Sequence, residues 1–247
     1  MRIVSFNVHH GTVGAGEVVD ARRLGEVCAG FDADVLALQE IERGVTRSGR
    51  VDLPATVAEA TGMELVFGPV ARIGGGQYGN ALLVRGSIAE VSTHRLYRPA
   101  LRWRRERRGS IEVFAHMDRP GCDLSVTATH LSVKKDEVDR QLAAIIARVA
   151  DGVGPRVLLG DFNRRPNHVE AAARGTGLTV ADTTPPTFPS DRPRIRIDHL
   201  LVAGVHILEV SVPEVPMSDH RPLVVDVAVP IPEAKGATTA TPSRPSR

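Results

Sequence analysis

Cysteine is scarce in this chain of 247 residues: Cys28 and Cys122 are its only two, too few and too far apart for CxxC spacing or a disulfide framework. That argues against a thiolate zinc site and a small stapled secreted fold, and it reads as two buried thiols in a reducing compartment. No apolar run approaches the ~20 residues of a membrane span. The strand-like run Ile3-Val4-Ser5-Phe6-Asn7-Val8 begins so early that no signal peptide fits ahead of it. Internal repeats and interrupting linkers are also missing. The expectation is a cytoplasmic protein with no protein partner implied, built as one domain over residues 1–229. From Pro230 to Arg247 a Pro, Ala, Thr and Ser tail has little to bury and reads as disordered.

The composition, 42% hydrophobic and 24% charged, is that of an ordinary globular chain. Its net charge of +2 is unevenly spread. Residues 98–108 hold Arg98, Arg102, Arg104, Arg105, Arg107 and Arg108 against Glu106, so this segment carries +5 and the remainder sums to −3. With Trp103 among them, these arginines suit a phosphodiester backbone and a stacked base, or a solvated hairpin surface. Arg102, Trp103, Arg104 and, nearer the acidic residues, Arg196 are the candidate substrate contacts from this basic set. Arg164, Arg165, Arg192 and Arg194 also lie near those acids and favour a polyanion.

Leu24, Val27, Cys28 and Phe31 fall at helical spacing, as do Val138, Leu142, Ile145, Ile146 and Val149. Short β-rich runs cover 2–8, 34–39, 63–68, 80–84, 111–116, 124–130, 156–160, 195–202, 205–212 and 223–229. So many strands with few helices predict an α/β (α+β) fold of two packed sheets with outer helices, an αββα sandwich whose strand ends meet along one edge.

Polar residues gather where the apolar runs stop. Asn7, Glu40, His130, Asp161, Asn163, Asp198, Asp219 and His220 bring four carboxylates, two carboxamides and two imidazoles to strand ends. Four crowded carboxylates repel one another, and a hard divalent cation, Mg²⁺, Mn²⁺ or Ca²⁺ by its oxygen donors, relieves that. Asn7 and Glu40 each close a buried strand. Asp161 and Asn163, two apart in an extended backbone, face one cleft while Phe162 enters the core. Asp219 and His220 share a site only if the chain turns between Pro216 and Pro222, and Asp198 can orient the His220 ring and raise its pKa. His9 shares the Asn7 face if the strand continues; otherwise it is a turn residue before Gly11. Ser48-Gly49-Arg50 and Thr187-Phe188-Pro189 read as loops over the same edge.

The series Asn7, Leu38-Gln39-Glu40, Tyr78-Gly79-Asn80-Ala81, Thr129-His130-Leu131, Gly160-Asp161-Phe162-Asn163, Ile197-Asp198-His199 and Ser218-Asp219-His220 resembles the endonuclease/exonuclease/phosphatase superfamily, in particular its compact bacterial metal-dependent hydrolases. The resemblance implies a deoxyribonuclease I-like four-layer sandwich and metal-dependent phosphoester hydrolysis. It assigns Glu40, Asn7 and Asp219 to Mg²⁺ or Mn²⁺, and Asp161 to the attacking water. Asn163 and His130 go to phosphoryl oxygens, His220 held by Asp198 to base or transition-state stabiliser, and Asn80 to the substrate side. One departure stands out. In deoxyribonuclease-like relatives a Glu pairs with the histidine matching His130, whereas Gly68 to Val84 contains no acid, so His130 should be less readily protonated. The implied activity is a phosphodiesterase or nuclease acting on nucleic acid. The alternatives are a phosphoesterase for a phospholipid or inositol phosphate, and a catalytically silent binding module.

Overall fold

The computed structural model describes residues 1–14, 18–99, 107–119, 121–182 and 185–230. Arg102, Trp103 and Arg104, and the tail from residue 231 on, lie outside them. Its elements are β1 (Arg2–Asn7), α1 (Ala21–Gly30), β2 (Val35–Arg43), α2 (Leu53–Thr61), β3 (Glu64–Ile73), β4 (Gly76–Val84), β5 (Gly86–Arg95), β6 (Gly109–Met117), β7 (Asp123–His130), α3 (Lys135–Ala150), β8 (Arg156–Asp161), α4 (Pro166–Ala173), β9 (Thr179–Val180), β10 (Asp198–Ala203), β11 (His206–Ser211) and β12 (Leu223–Ala228).

Alternation along the strands builds the layers. Ile3, Val35, Ala37 and Leu82 turn inward to meet Val113, Val126, Val157 and Leu200 from the other sheet. Their neighbours Val4, Phe6, Leu36 and Leu38 turn outward onto Leu24 and Cys28 of α1 and Leu53 and Val57 of α2. On the far side Leu158 and Leu201 meet Val138, Leu142 and Ile145 of α3 and Val169 of α4. Three apolar clusters thus separate four layers, as the sequence predicts. Each fully buried large aliphatic contributes roughly 1.5–3 kcal/mol. Asp20 and Asp52 cap α1 and α2, accepting from the backbone amides of Arg23 and Ala55.

The two sheets run in the orders β11-β12-β1-β2-β4-β3 and β5-β6-β7-β8-β10-β9. The parallel pairs β1/β2 and β7/β8 bring Asn7, the end of β2, His130 and Asp161 to one edge, and antiparallel β10 adds Asp198 opposite Asp161. Several boundaries differ from the sequence reading. β2 runs on to Arg43, with a register shift between Leu38 and Ile41 at which Glu40 takes φ +57°, so Glu40 sits on a bulge rather than at a strand end. β5 has mostly exposed side chains and no apolar run to announce it. The run expected from 195 begins instead at Asp198, while Ile195 bridges to Phe188.

Gly160 lets β7 and β8 approach beside the edge where the polar residues gather. It holds φ +146°, and a Cβ there would lie 1.8 Å from the Thr129 carbonyl oxygen. We expect Gly160→Ala to destabilise the fold by about 3 kcal/mol or more. Gly154→Ala, where φ is +72° but space is open, should cost about 1 kcal/mol. Urea denaturation of both variants checks this; equal midpoints would contradict the steric argument.

Candidate active site

Asp161 is the centre of the edge. It is buried, and register places His130 beside it on β7 and Asp198 beside it on β10. The backbone then turns instead of staying extended: Asn163 adopts φ +50°, and its amide donates to Asp161 Oδ1 at 2.9 Å. Phe162 still enters the core. Asn163 Nδ2 donates to the Leu131 carbonyl at 3.0 Å and lies 3.1 Å from His130 Nε2. From the other sheet, Asn7 Nδ2 donates both to Asp161 Oδ2 (3.1 Å) and to Glu40 Oε1 (3.2 Å).

The turn expected between Pro216 and Pro222 is made at Ser218, with φ +65°. Its hydroxyl donates to the Asn7 carbonyl at 2.6 Å and accepts from the His220 amide at 3.1 Å, which locks the segment onto the end of β1. His220 Nδ1 then meets Asp198 Oδ2 at 2.9 Å, its Nε2 lies 3.8 Å from Asp161 Oδ2, and the Phe188 ring packs 4.8 Å from its own. Asp219 faces His9, with Oδ1 3.8 Å from Nδ1. His9 is not on a continued strand: it lies in a short 3-10 turn, His9–Gly11, with φ +41°. Its amide donates to Asn7 Oδ1 at 3.2 Å, so it reaches the site by another route.

Two histidines flank Asp161, and their surroundings shift their pKa values in opposite directions. His130 Nδ1 sits 2.8 Å from a guanidinium nitrogen of buried Arg108. A guanidinium only donates, so Nδ1 accepts and the ring proton is on Nε2, 3.4 Å from Asp161 Oδ2. Burial and the Arg108 charge hold His130 well below the ordinary imidazole range. Arg108 therefore occupies the role the sequence left open for an acid, with the opposite sign. For His220, burial alone would lower the pKa, but Asp198, with Asp161 and Asp219, more than reverses this and raises it to about 10. Burial and Asp198 push Asp161 up to about 7.

These groups line a cavity of about 620 Å³, with Glu40, His130, Asp161, Asn163 and His220 on its floor, Phe188 on a wall, and Arg108, Lys135, Arg164 and Arg165 among its cations. Asn80 is not in this cavity. It is buried, donates to the Gly109 carbonyl at 3.1 Å, and belongs to an adjoining cavity with Arg107 and Arg108. Nor does Arg196 line the cavity: it is buried and paired with Asp182 at 2.8 Å. His199 donates from Nε2 to the Arg164 carbonyl at 2.7 Å, while burial lowers its pKa to about 4. The sequence reading missed Lys135; Arg108 was read only as part of the basic 98–108 segment and His10 only as part of the family-like run Asn7-Val8-His9-His10-Gly11, and the contacts of neither were foreseen.

Linkage gives a pH test. The folded His220 pKa of about 10 lies above the ordinary 6.5. The group therefore contributes its full stabilisation below the ordinary value and loses it as pH climbs through the folded one. Ring NMR titration should show His220 charged, and His130 and His199 neutral, across the neutral range. Asp198→Asn should lower the His220 midpoint and erase the alkaline loss of stability. A wild-type midpoint at the ordinary value would contradict the pairing.

Comparison with known proteins gives the same frame. A structure from Beutenbergia cavernae described as an endonuclease/exonuclease/phosphatase is 24% identical, with a TM-score of 0.74 over 92% of this chain and 71% of that one. The Bacteroides thetaiotaomicron mannosyl-6-phosphatase structure is 18% identical, TM-score 0.72, covering 92% and 99%. The human Nocturnin catalytic domain with bound sulfate is 19% identical, TM-score 0.69, covering 92% and 94%. Among curated sequences, the UPF0294 protein YE0917 of Yersinia enterocolitica is 30% identical over 112 residues, 42% of this chain and 41% of its own length, and a Vibrio vulnificus relative matches over 34% of its length. The chain thus matches well under half the length of these curated relatives. The sequence pattern of the Endonuclease/Exonuclease/phosphatase family matches residues 4–220, and the chain belongs to that family.

Proposed function

We propose that this member of a family of phosphoester hydrolases is a divalent-metal-dependent phosphodiesterase, cleaving nucleic acid by attack of an activated water on phosphorus. The observation that carries the reading is one buried carboxylate, Asp161, held between the imidazoles of His130 and His220 in a cavity lined by several cations. Glu40 and Asp219, with the Asn7 carboxamide, are an oxygen-rich set whose chemistry fits a hard divalent ion. These residues would hold it, and when bound it supplies positive charge beside the phosphoryl group.

The chain's own groups divide the remaining work. Asp161, with its pKa raised to about 7, is suited to take the proton of the attacking water near neutral pH. His220 enters the reaction already charged, so it stabilises charge growing on the phosphoryl oxygens rather than acting as the base. His130 and Asn163 serve as neutral donors to those oxygens. Arg108, Lys135, Arg164 and Arg165 supply charge for a polyanion's further phosphates. Arg107 and Arg108, which lead into β6, place the end of the basic 98–108 segment at the adjoining cavity, favouring an extended substrate. A second reading, a phosphatase for a small phosphorylated compound, is favoured by the compact cavity and by the likeness to a mannosyl-6-phosphatase structure.

Release assays with DNA, RNA, sphingomyelin, inositol phosphates, nucleotides and sugar phosphates, with Mg²⁺ or Mn²⁺ and with chelator, test this. We expect nucleic acid to be cleaved, chelator to abolish turnover, and Glu40→Ala to weaken the metal requirement's titration. His220→Ala should lower turnover ~10²–10⁴-fold with the fold intact, and Asp198→Asn less. Preference for a sugar phosphate would select the second reading; full activity in chelator, or near-normal turnover of His220→Ala, would overturn the mechanism.

A further inference from the structure

Beside the cavity floor lies a second cluster with different donor chemistry. One donor atom from each of His9, His10 and Glu40 lies within 4.8 Å of the other two. All three residues hold positive φ, at +41°, +62° and +57°, a conformation that non-glycine residues adopt rarely and that here aims adjacent side chains at one point. His10 Nε2 stands 3.8 Å from Glu40 Oε2.

Each imidazole is oriented from behind. The Thr12 hydroxyl donates to the Gly14 carbonyl at 3.3 Å, so its oxygen can only accept from His9 Nδ1, 3.1 Å away. That fixes the His9 proton on Nδ1 and leaves Nε2 with its lone pair. Behind His10, Nδ1 lies 3.4 Å from Oε1 of Glu42, a carboxylate with no exposed side-chain surface whose Oε2 has no hydrogen-bond partner among the described residues. Half-exposed Arg47 pairs with Glu42 and donates to His10 Nδ1 at 3.0 Å, so without an ion that nitrogen accepts and the ring proton is on Nε2. A buried carboxylate behind a histidine whose other nitrogen faces a second carboxylate is the arrangement that orients a metal-binding imidazole.

We infer that His9, His10 and Glu40 form a mixed nitrogen and oxygen site for a first-row transition ion such as Co²⁺ or Zn²⁺, with Thr12 and Glu42 orienting the two rings. Imidazole nitrogens favour such ions over Mg²⁺, whose preferred ligands are oxygens. An ion that takes Nε2 of His10 displaces the proton there; half-exposed Arg47 then gives up its contact with Nδ1, and the single ring proton moves to Nδ1, where Glu42 Oε1 accepts it. Glu40 faces both this cluster and the cavity, so the site borders the phosphoester centre. The inference shares only Glu40 with the proposed function.

The test is Co²⁺ titration of the full, metal-stripped chain, followed by visible absorption and by proton NMR of the Co²⁺ form. Each histidine bound to Co²⁺ shows one exchangeable, strongly shifted ring N–H resonance, so two are expected. His9→Ala and His10→Ala should each remove one, and Glu42→Gln should weaken Co²⁺ binding about 10–100-fold, the scale for an orienting partner, while leaving Mg²⁺ binding in place. If Glu42→Gln fails to fold, the two histidine variants carry the test. A Co²⁺ form without shifted N–H resonances, or with resonances that survive both histidine substitutions, overturns the inference. Absent hydrolysis of every phosphoester while both resonances are present would instead remove the proposed function and leave this site standing.

Discussion

The carboxamide of Asn7 joins the two halves of the molecule where it matters most. It rises from β1 in one sheet and donates to Asp161 at the end of β8 in the other, and to Glu40 on the neighbouring bulge. Both acceptors are carboxylates, so one neutral donor bridges two acidic side chains from different sheets. Ser218 in turn accepts the His220 amide and donates to the Asn7 carbonyl, so the His220 turn is tied to the same residue. Apolar packing stacks the sheets, but this polar tie sets where their edges meet. A buried network of this kind specifies one arrangement because every displaced member would leave an unmatched polar group.

Around that tie the electrostatics are asymmetric. Burial lowers the pKa of both histidines that border one carboxylate; at His130 the Arg108 charge adds to that effect, while at His220 Asp198 more than reverses it. Burial sets the common direction, and only an opposite charge close by overturns it. A single carboxylate thereby has a fixed donor on one side and a fixed cation on the other, the preorganisation that stabilises developing charge without rearrangement.

Much of this was legible in the sequence, for reasons that also explain what was not. Alternation in Ile3-Val4-Ser5-Phe6 and Val157-Leu158-Leu159 is the direct imprint of burial on both faces, so the sandwich could be read from it. β5 escaped because an exposed strand need not carry an apolar signal, and α2 and α4 are too short to show a helical period, although Asp52 before Pro54 and Pro166 mark their starts. Strand-end polar residues announced Asp161, Asp198 and His220. Local conformation did not: Glu40 on its bulge, Asn163 in a left-handed turn and His9 off the strand depend on the positive φ that tertiary packing imposes. Arg108 beside His130 is a contact between positions 22 residues apart, and no local pattern encodes it.

Arg85 alone separates β4 from β5, so the chain crosses between sheets in a single residue. Register places that crossing at the edge opposite the cavity, since Val84 pairs with Val35 at the start of β2 and Gly86 with Met117 at the end of β6. The sandwich is bound there like the spine of a book. Any rotation of one sheet against the other is smallest at the spine and largest at the fore-edge, where Asn7 spans to Asp161. That one hydrogen bond, joining the sheets at the point farthest from the spine, is therefore the contact that such a rotation would stretch first.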